Sequence, residues 1–173
     1  MGMTEVYDAD LSSYFDTIPH DKLMIVLQNR ITDPRVLQLI DKWLKCPVYE
    51  QGQYKGGKKQ KVGTPQGGVI SPLLANIYMH LVDKIVNDQH KLFYQQGIKI
   101  IRYADDFVIG FENHSEATAC LEELRTRFAK FGLHLHEGKT RLIEFGRYAM
   151  ERRERRGESR PETIDFLGFT HKC

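Results

Sequence analysis

Cysteine is scarce and poorly placed for crosslinking. Cys46, Cys120 and Cys173 are odd in number and far apart, which argues against a disulfide scaffold or a cysteine-based zinc site and fits reduced thiols in an intracellular, cytoplasmic protein. Long apolar runs are missing as well: no stretch reaches membrane-spanning length, and the N-terminus lacks the apolar stretch of a secretory signal. No membrane partner is therefore expected, and no internal repeat is visible. Charge of one sign does not dominate either. A formal net charge of +2 and a pI near 8.4 permit a nucleic-acid partner without requiring one. What is present suffices to fold, since 173 residues with 41% hydrophobic content can bury one substantial core in a single compact domain.

The distribution of charge says more than its total. Lys45, Lys55, Lys58, Lys59 and Lys61 fall close together with only Glu50 opposing them, the last four in a hairpin or loop over about 46–62. Arg147, Arg152, Arg153, Arg155, Arg156 and Arg160 form a second basic run, diluted by Glu151, Glu154 and Glu158, in a charged linker over about 147–161. Either run could track a phosphate backbone, and either could simply be solvated.

Between the apolar runs at 98–101 and 107–111 stands Tyr103-Ala104-Asp105-Asp106. Two adjacent carboxylates at the tip of a β-hairpin are costly to bury without a counter-charge. A third carboxylate would turn the pair into a site for hard, oxygen-seeking Mg²⁺ ions, and Asp10, at the end of a short strand over 5–11, is the best candidate. Taken singly, each aspartate is more often a turn or cap residue.

The remaining pattern reads as strand, helices, hairpin, helix, strand, hairpin. Leu23, Met24, Leu27 and Ile31 recur at helical spacing. Asp33-Pro34 caps a second helix through Leu44, and Ser71-Pro72 starts a long helix carrying Leu73, Leu74, Ile77, Tyr78, Leu81, Val82, Ile85 and Val86. Ala117, Leu121, Leu124 and Phe128 mark a further helix, and Leu133 to Leu135 and Thr140 to Phe145 read as strands. This order predicts an α+β fold, an antiparallel sheet of the split βαβ kind with helices packed on one face. Gly63-Thr64-Pro65-Gln66-Gly67-Gly68, just before the long helix, offers close-approach backbone and an amide side chain near a helix N-terminus. It lacks the Gly-Lys-Ser/Thr of a Walker loop. His134 and His136 share a strand face but have no third ligand nearby, which disfavours zinc.

Read in order, Asp10 to Phe15, Gly63 to Pro72, Tyr103 to Asp106, Gly138-Lys139-Thr140 and Phe166-Leu167-Gly168-Phe169 resemble the successive palm motifs of reverse transcriptases, closest to the group II intron-encoded kind and their bacterial relatives. The resemblance implies a ferredoxin-like polymerase palm in a bacterial protein. It implies that Asp10, Asp105 and Asp106, with the Leu11 carbonyl, hold two Mg²⁺ ions, with Mn²⁺ as a substitute. It implies that Phe15 lies beneath the incoming sugar and favours deoxynucleotides, and that Gln66 and Gly67 contact the dNTP and the nascent base pair. Lys139 would meet the leaving pyrophosphate, and Phe166, Leu167 and Gly168 would grip the primer. The implied partners are an RNA template, a DNA primer and dNTP, with intron RNA in a longer parent.

The same resemblance carries the expectation that the chain is a palm fragment without thumb and with partial or no fingers. Such a fragment would be weakly active or inactive alone, and could form a homodimer through the surfaces left uncovered. Two rivals remain: an RNA-binding maturase module whose polymerase chemistry is vestigial, and an RNA-templated RNA polymerase, which Phe15 and Ala104 disfavour.

Overall fold

The computed structural model describes residues 2–50, 52–65, 67–88 and 98–173. In chain order the elements are β1 (Glu5–Ala9), α1 (Tyr14–Thr17), α2 (His20–Gln28), α3 (Pro34–Leu44), β2 (Val48–Glu50), β3 (Gln53–Lys55), α4 (Ser71–Asp88), β4 (Lys99–Tyr103), β5 (Asp106–Phe111), α5 (His114–Lys130), β6 (Arg141–Glu144), α6 (Ala149–Arg155), β7 (Ile164–Phe166) and β8 (Phe169–His171). They fall into two compact units. One comprises Met1–Ser12, Asn87–Arg127 and His134–Cys173; the other comprises Ser13–Val86 and Phe128–Leu133.

The first unit is built on a four-stranded antiparallel sheet of order β4-β5-β1-β6. Strand β1 pairs with both β5, with Ala9 opposite Phe107, and β6, with Asp8 opposite Arg141. Side chains alternate between the faces with period two. Tyr7, Ile109 and Phe111 are buried on one face, where the Tyr7 and Phe111 rings meet edge to face at 5.8 Å. Helix α5 supplies buried Ala117, Cys120 and Leu124, and Cys120, Glu122 and Arg125 stand within electrostatic reach of the Tyr7 hydroxyl. On the opposite face Val6 and Ile143 pack with Ile164 of β7, joined by the partly buried Val108, Phe145 and Phe166. Each such large apolar side chain contributes roughly 1.5–3 kcal/mol on full burial. The α+β class and the antiparallel split βαβ sheet expected from the sequence are thus present.

The second unit gathers helices around Leu23, Leu27, Ile40, Leu44, Leu74 and Tyr78, all buried. Helix α3 begins as its sequence dictates: the Asp33 side chain accepts a hydrogen bond from the Arg35 backbone N–H at 2.8 Å, and Pro34 occupies the first turn. The buried Tyr78 hydroxyl donates to the Phe131 carbonyl at 2.7 Å, and burial pushes its pKa up. The Tyr14 hydroxyl donates to the Ala75 carbonyl at 2.6 Å.

Three local expectations change. Leu133 to Leu135 is not a strand; it contributes only the isolated bridge between Leu135 and Leu11. Leu73, placed in the core stripe of α4, is 58% exposed, whereas Leu74 and Tyr78 are buried; the side chains of Leu81, Val82, Ile85 and Val86 lie outside the described residues. The charged linker over about 147–161 contains helix α6 and is tied to the sheet. Burial pushes the Glu144 carboxyl up, but hydrogen bonds from Arg156 and Arg152 outweigh it and leave the pKa below the usual carboxylate range. Arg152 donates to Glu144 at 2.6 Å, Arg156 bonds both Glu144 and Glu158, and Arg153 pairs with Glu158 at 3.5 Å.

That clamp gives a testable expectation. Glu144→Gln should lower stability by about 2 kcal/mol, because the glutamine leaves Arg152 without its counter-charge and Arg156 with Glu158 alone. The depressed carboxylate pKa also fixes the sign with pH. The contribution is complete above the unfolded value near 4.5 and is lost as pH falls through the lower folded value. Urea unfolding of both proteins at pH 7 and at pH 3 measures it, and the difference should shrink at the acid end.

Candidate functional site

Asp10 follows directly on β1, and its place is held by backbone pairing on both sides of it. The His136 N–H donates to the Asp10 carbonyl at 2.9 Å, Leu11 bridges Leu135, and the Ser12 N–H donates to the His134 carbonyl at 2.8 Å. This pairing leaves Asp10 only 9% exposed. On the neighbouring strand Ala9 faces Phe107, so the register brings Asp106 beside Asp10. Asp105 sits in the two-residue turn between Tyr103 and Asp106. That turn places Ala104 at φ 52, a left-handed conformation unusual for alanine, and Arg102 donates to the Ala104 carbonyl at 2.8 Å. The hairpin thus presents its carboxylates from a fixed, strained tip.

The electrostatics show three acids sharing one neighbourhood. Partial burial, followed by the charges of Asp10 and Asp105, raises the Asp106 carboxyl above its usual range, although the residue as a whole is exposed. Lys139 opposes this. Its Nζ lies 2.6 Å from Asp10 Oδ2, and this hydrogen bond, reinforced by the charges of Asp10, Asp106 and Asp105, raises the lysine pKa and keeps the ammonium protonated. The turn bearing Lys139 is itself pinned, since the Lys139 and Thr140 N–H groups both donate to the His136 carbonyl.

Among the described residues no three His, Cys, Asp or Glu side chains stand as a finished metal cage; Asp10 is turned to Lys139 instead. The donor chemistry nonetheless fits a hard divalent cation: the clustered groups are carboxylate oxygens whose mutual repulsion a cation would relieve.

The other sequence-predicted residues divide between the two units. Leu11 is buried beside Asp10 in the first unit. Phe166, Leu167 and Gly168 form the β7–β8 turn there. Phe166 packs on the sheet, Leu167 is 50% exposed at φ 54, and Gly168 has φ 76. A bulky residue in that left-handed position, where asparagine or glycine is preferred, is strained as well as exposed. Phe15 and Gly67 belong to the second unit, and Gln66 lies outside the described residues. Phe15 is half-buried beside Tyr14, with ring centroids 5.7 Å apart. Its carbonyl accepts from the Thr64 N–H at 2.6 Å, and the Gly63 N–H donates to the Ile18 carbonyl at 2.8 Å. The loop at 63–68 is therefore fastened to the Phe15 segment.

One residue close to the acids escaped the sequence reading. Arg141 donates to Asp8 at 2.7 Å and to Glu162 at 3.0 Å, joining β1 and β6 to the lead into β7. The only signal for it was the period-two spacing of Asp8 and Asp10, which puts both on one sheet face.

A family model described as "Reverse transcriptase (RNA-dependent DNA polymerase)" matches residues 2–171. The group II intron-encoded protein LtrA of Lactococcus lactis is 46% identical over 79 residues, covering 46% of this chain and 13% of that protein. Protein YkfC of Escherichia coli K12 is 30% identical over an alignment of 190 positions, covering 90% of this chain and 49% of that protein. The chain spans 13% of the length of the first of these relatives and 49% of the second. Among solved structures, apo telomerase of Candida tropicalis superposes with a TM-score of 0.69 at 16% identity, covering 100% of this chain and 32% of that one, a likeness of fold. No described helix is long and apolar enough to cross a membrane.

Proposed function

The chain belongs to the reverse transcriptase (RNA-dependent DNA polymerase) family, and from that premise we propose that it carries the catalytic carboxylates of an RNA-directed DNA polymerase of the group II intron type. The reaction is attack of a DNA primer 3′-hydroxyl on the α-phosphate of a dNTP, directed by an RNA template, with pyrophosphate leaving. The observation that carries this reading is the gathering of Asp10, Asp105 and Asp106 around one point, with Lys139 as their cation.

The family generally uses divalent metal ions. Asp10, Asp105 and Asp106, with the Leu11 carbonyl, would hold two Mg²⁺ ions, or Mn²⁺ in their place. When bound, the ions supply charge stabilisation for the attacking and leaving oxygens of an in-line displacement. The protein's own residues provide position. The backbone pairing of residues 10–12 with 134–136 fixes Asp10, and the hairpin tip fixes Asp105. Lys139, kept protonated by Asp10, is the counter-charge and proton donor at hand for the departing pyrophosphate. Phe166, Leu167 and Gly168 present an exposed, strained turn suited to the primer. Gln66 and Gly67 are assigned to the nascent base pair on the strength of their motif. A binding-only maturase module would need no such convergence of acids.

The assignment of Phe15 to the sugar is tested by exchange. A ring there excludes a 2′-hydroxyl, so Phe15→Ala should raise incorporation of rNTP relative to dNTP by roughly ten- to a hundredfold. Single-nucleotide primer extension on an RNA template measures both the activity and this ratio. No Mg²⁺-dependent extension by a longer parent that carries these residues would overturn the polymerase reading, and an unchanged ratio would overturn the sugar filter alone.

A further inference from the structure

The two basic runs of the sequence have different fates. In the arginine run Arg152, Arg153, Arg155 and Arg156 are all paired with glutamates, and Arg147 stands over the Tyr148 ring at 5.5 Å. Two of these pairs, Arg152 and Arg156 with Glu144, hold α6 to the sheet, and the other two are local. In the lysine run Lys45 is fixed by an acidic partner, Asp41 at 2.7 Å. Lys58, Lys59 and Lys61 are exposed and make no ion pair among the described residues.

This free positive charge is displayed from a rigid support. The 56–62 loop returns to the start of α2 through the Pro19–Val62 bridge and the hydrogen bond from the His20 N–H to the Lys61 carbonyl at 2.9 Å. Within the loop the Gln60 N–H donates to the Gly57 carbonyl, and its side-chain amide donates to the Val62 carbonyl at 2.8 Å. The ribbon that leads into the loop carries two aromatic rings directly opposite each other, Tyr49 on β2 and Tyr54 on β3. They are 64% and 77% exposed, with centroids 5.0 Å apart. A cleft of about 360 Å³, lined by Tyr49, Lys55, Gln60, Thr64 and Pro65 among others, runs from this ribbon to the 63–68 loop.

Exposed rings on the ribbon that leads into this loop, together with lysines that make no ion pair among the described residues, match the needs of an unpaired polynucleotide strand, whose bases stack on aromatic faces while its phosphates release counterions to cations. We propose that the Tyr49–Tyr54 ribbon and the Lys58, Lys59 and Lys61 loop form a binding surface for single-stranded nucleic acid. A cross-strand tyrosine pair also steadies a hairpin, but steadiness alone does not account for two rings this exposed on the ribbon that leads into the lysine loop. In the polymerase reading the strand is single-stranded template. Binding here needs neither the carboxylates nor synthesis, so either proposal can fail without the other.

The test is equilibrium binding of fluorescent oligonucleotides to the whole protein: a uridine 12-mer, its DNA counterpart, an abasic 12-mer of equal charge, an RNA duplex and polyglutamate. The wild type should prefer the base-bearing single strands to the abasic strand and to the duplex, and should ignore polyglutamate. RNA and DNA strands should bind alike, because stacking and phosphate contact do not read the 2′-hydroxyl. Tyr49→Ala with Tyr54→Ala should weaken the uridine strand by roughly five- to 150-fold for each base that loses its stack and leave the abasic strand unchanged. Tyr49→Phe with Tyr54→Phe should bind like wild type, which separates stacking from loss of the ribbon. Lys58→Gln, Lys59→Gln and Lys61→Gln together should flatten the log–log salt dependence by about 2. Equal binding of base-bearing and abasic strands by the wild type, an alanine pair that binds as wild type does, or an unchanged salt slope would overturn the proposal.

Discussion

Asp10→Ala is expected to lower primer extension by on the order of 10³-fold or more, since it removes a carboxylate that no neighbour can replace at the point where charge develops. The same variant should lose saturable Mn²⁺ binding followed by electron paramagnetic resonance, a readout that needs no substrate. Unfolding is not the expected cause. Asp10 is held by its backbone, through the His136 N–H and the flanking pairs at Leu11 and Ser12, and alanine leaves those bonds in place. Its side chain contributes one ion pair to Lys139, whose own side chain is 63% exposed, and such solvent-screened pairs contribute little to stability. The melting temperature should therefore stay within a few degrees of wild type. Asp105→Asn should behave alike, from the hairpin tip rather than from the end of β1. Extension by Asp10→Ala within a few-fold of wild type, or a retained Mn²⁺ site, would sink the metal assignment.

The acids were legible in the sequence because two independent patterns point at them. Tyr103 to Asp106 sits between apolar runs that can only be strands, and period-two alternation then puts Val6, Asp8 and Asp10 on one face. The register that joins the two, Ala9 opposite Phe107, is long-range and has no local signature; it was reached through the split βαβ topology. Caps were legible for the same local reason, as Asp33 and Pro34 show.

What stayed hidden depends on distance in sequence. Residues 147–161 look like a solvated linker in composition, and their helix gains its order from Glu144, beyond the segment itself. Arg141 reads as an ordinary strand residue until Asp8 and Glu162 are brought to it. Leu73 carries the apolar pattern of a core helix yet faces outward, since a stripe as broad as that of α4 need not be buried across its whole width.

Gly63→Ala is expected to be the most damaging single methyl in the second unit. Gly63 has φ +86, and a Cβ there would lie 2.9 Å from the Asp16 carbonyl oxygen and 3.1 Å from the Asp16 Cα. Both are backbone atoms that cannot swing aside. They are fixed by the hydrogen bonds on either side, Gly63 N–H to the Ile18 carbonyl and Thr64 N–H to the Phe15 carbonyl. Left-handed backbone costs an alanine about 1–2 kcal/mol, and forcing atoms into a packed contact costs about 1–3 kcal/mol more. The melting temperature should fall by roughly 5–15 °C. Gly67→Ala is the control, because Gly67 has φ +79 but nothing within 4 Å of its Cβ; it should show the backbone cost alone. The two variants thus separate close approach from conformation. His20 should feel the shift as well, since its Nε2 donates to the Gly63 carbonyl at 2.6 Å. Displacing this loop should disturb Phe15 while leaving the carboxylates, which belong to the other unit, intact. At a temperature where Gly63→Ala is still folded, the expected result is a raised KM for dNTP with Mn²⁺ binding retained. Loss of Mn²⁺ binding, or a melting temperature equal to that of Gly67→Ala, would show that the contact between Gly63 and Asp16 is not what holds the Phe15 segment in place.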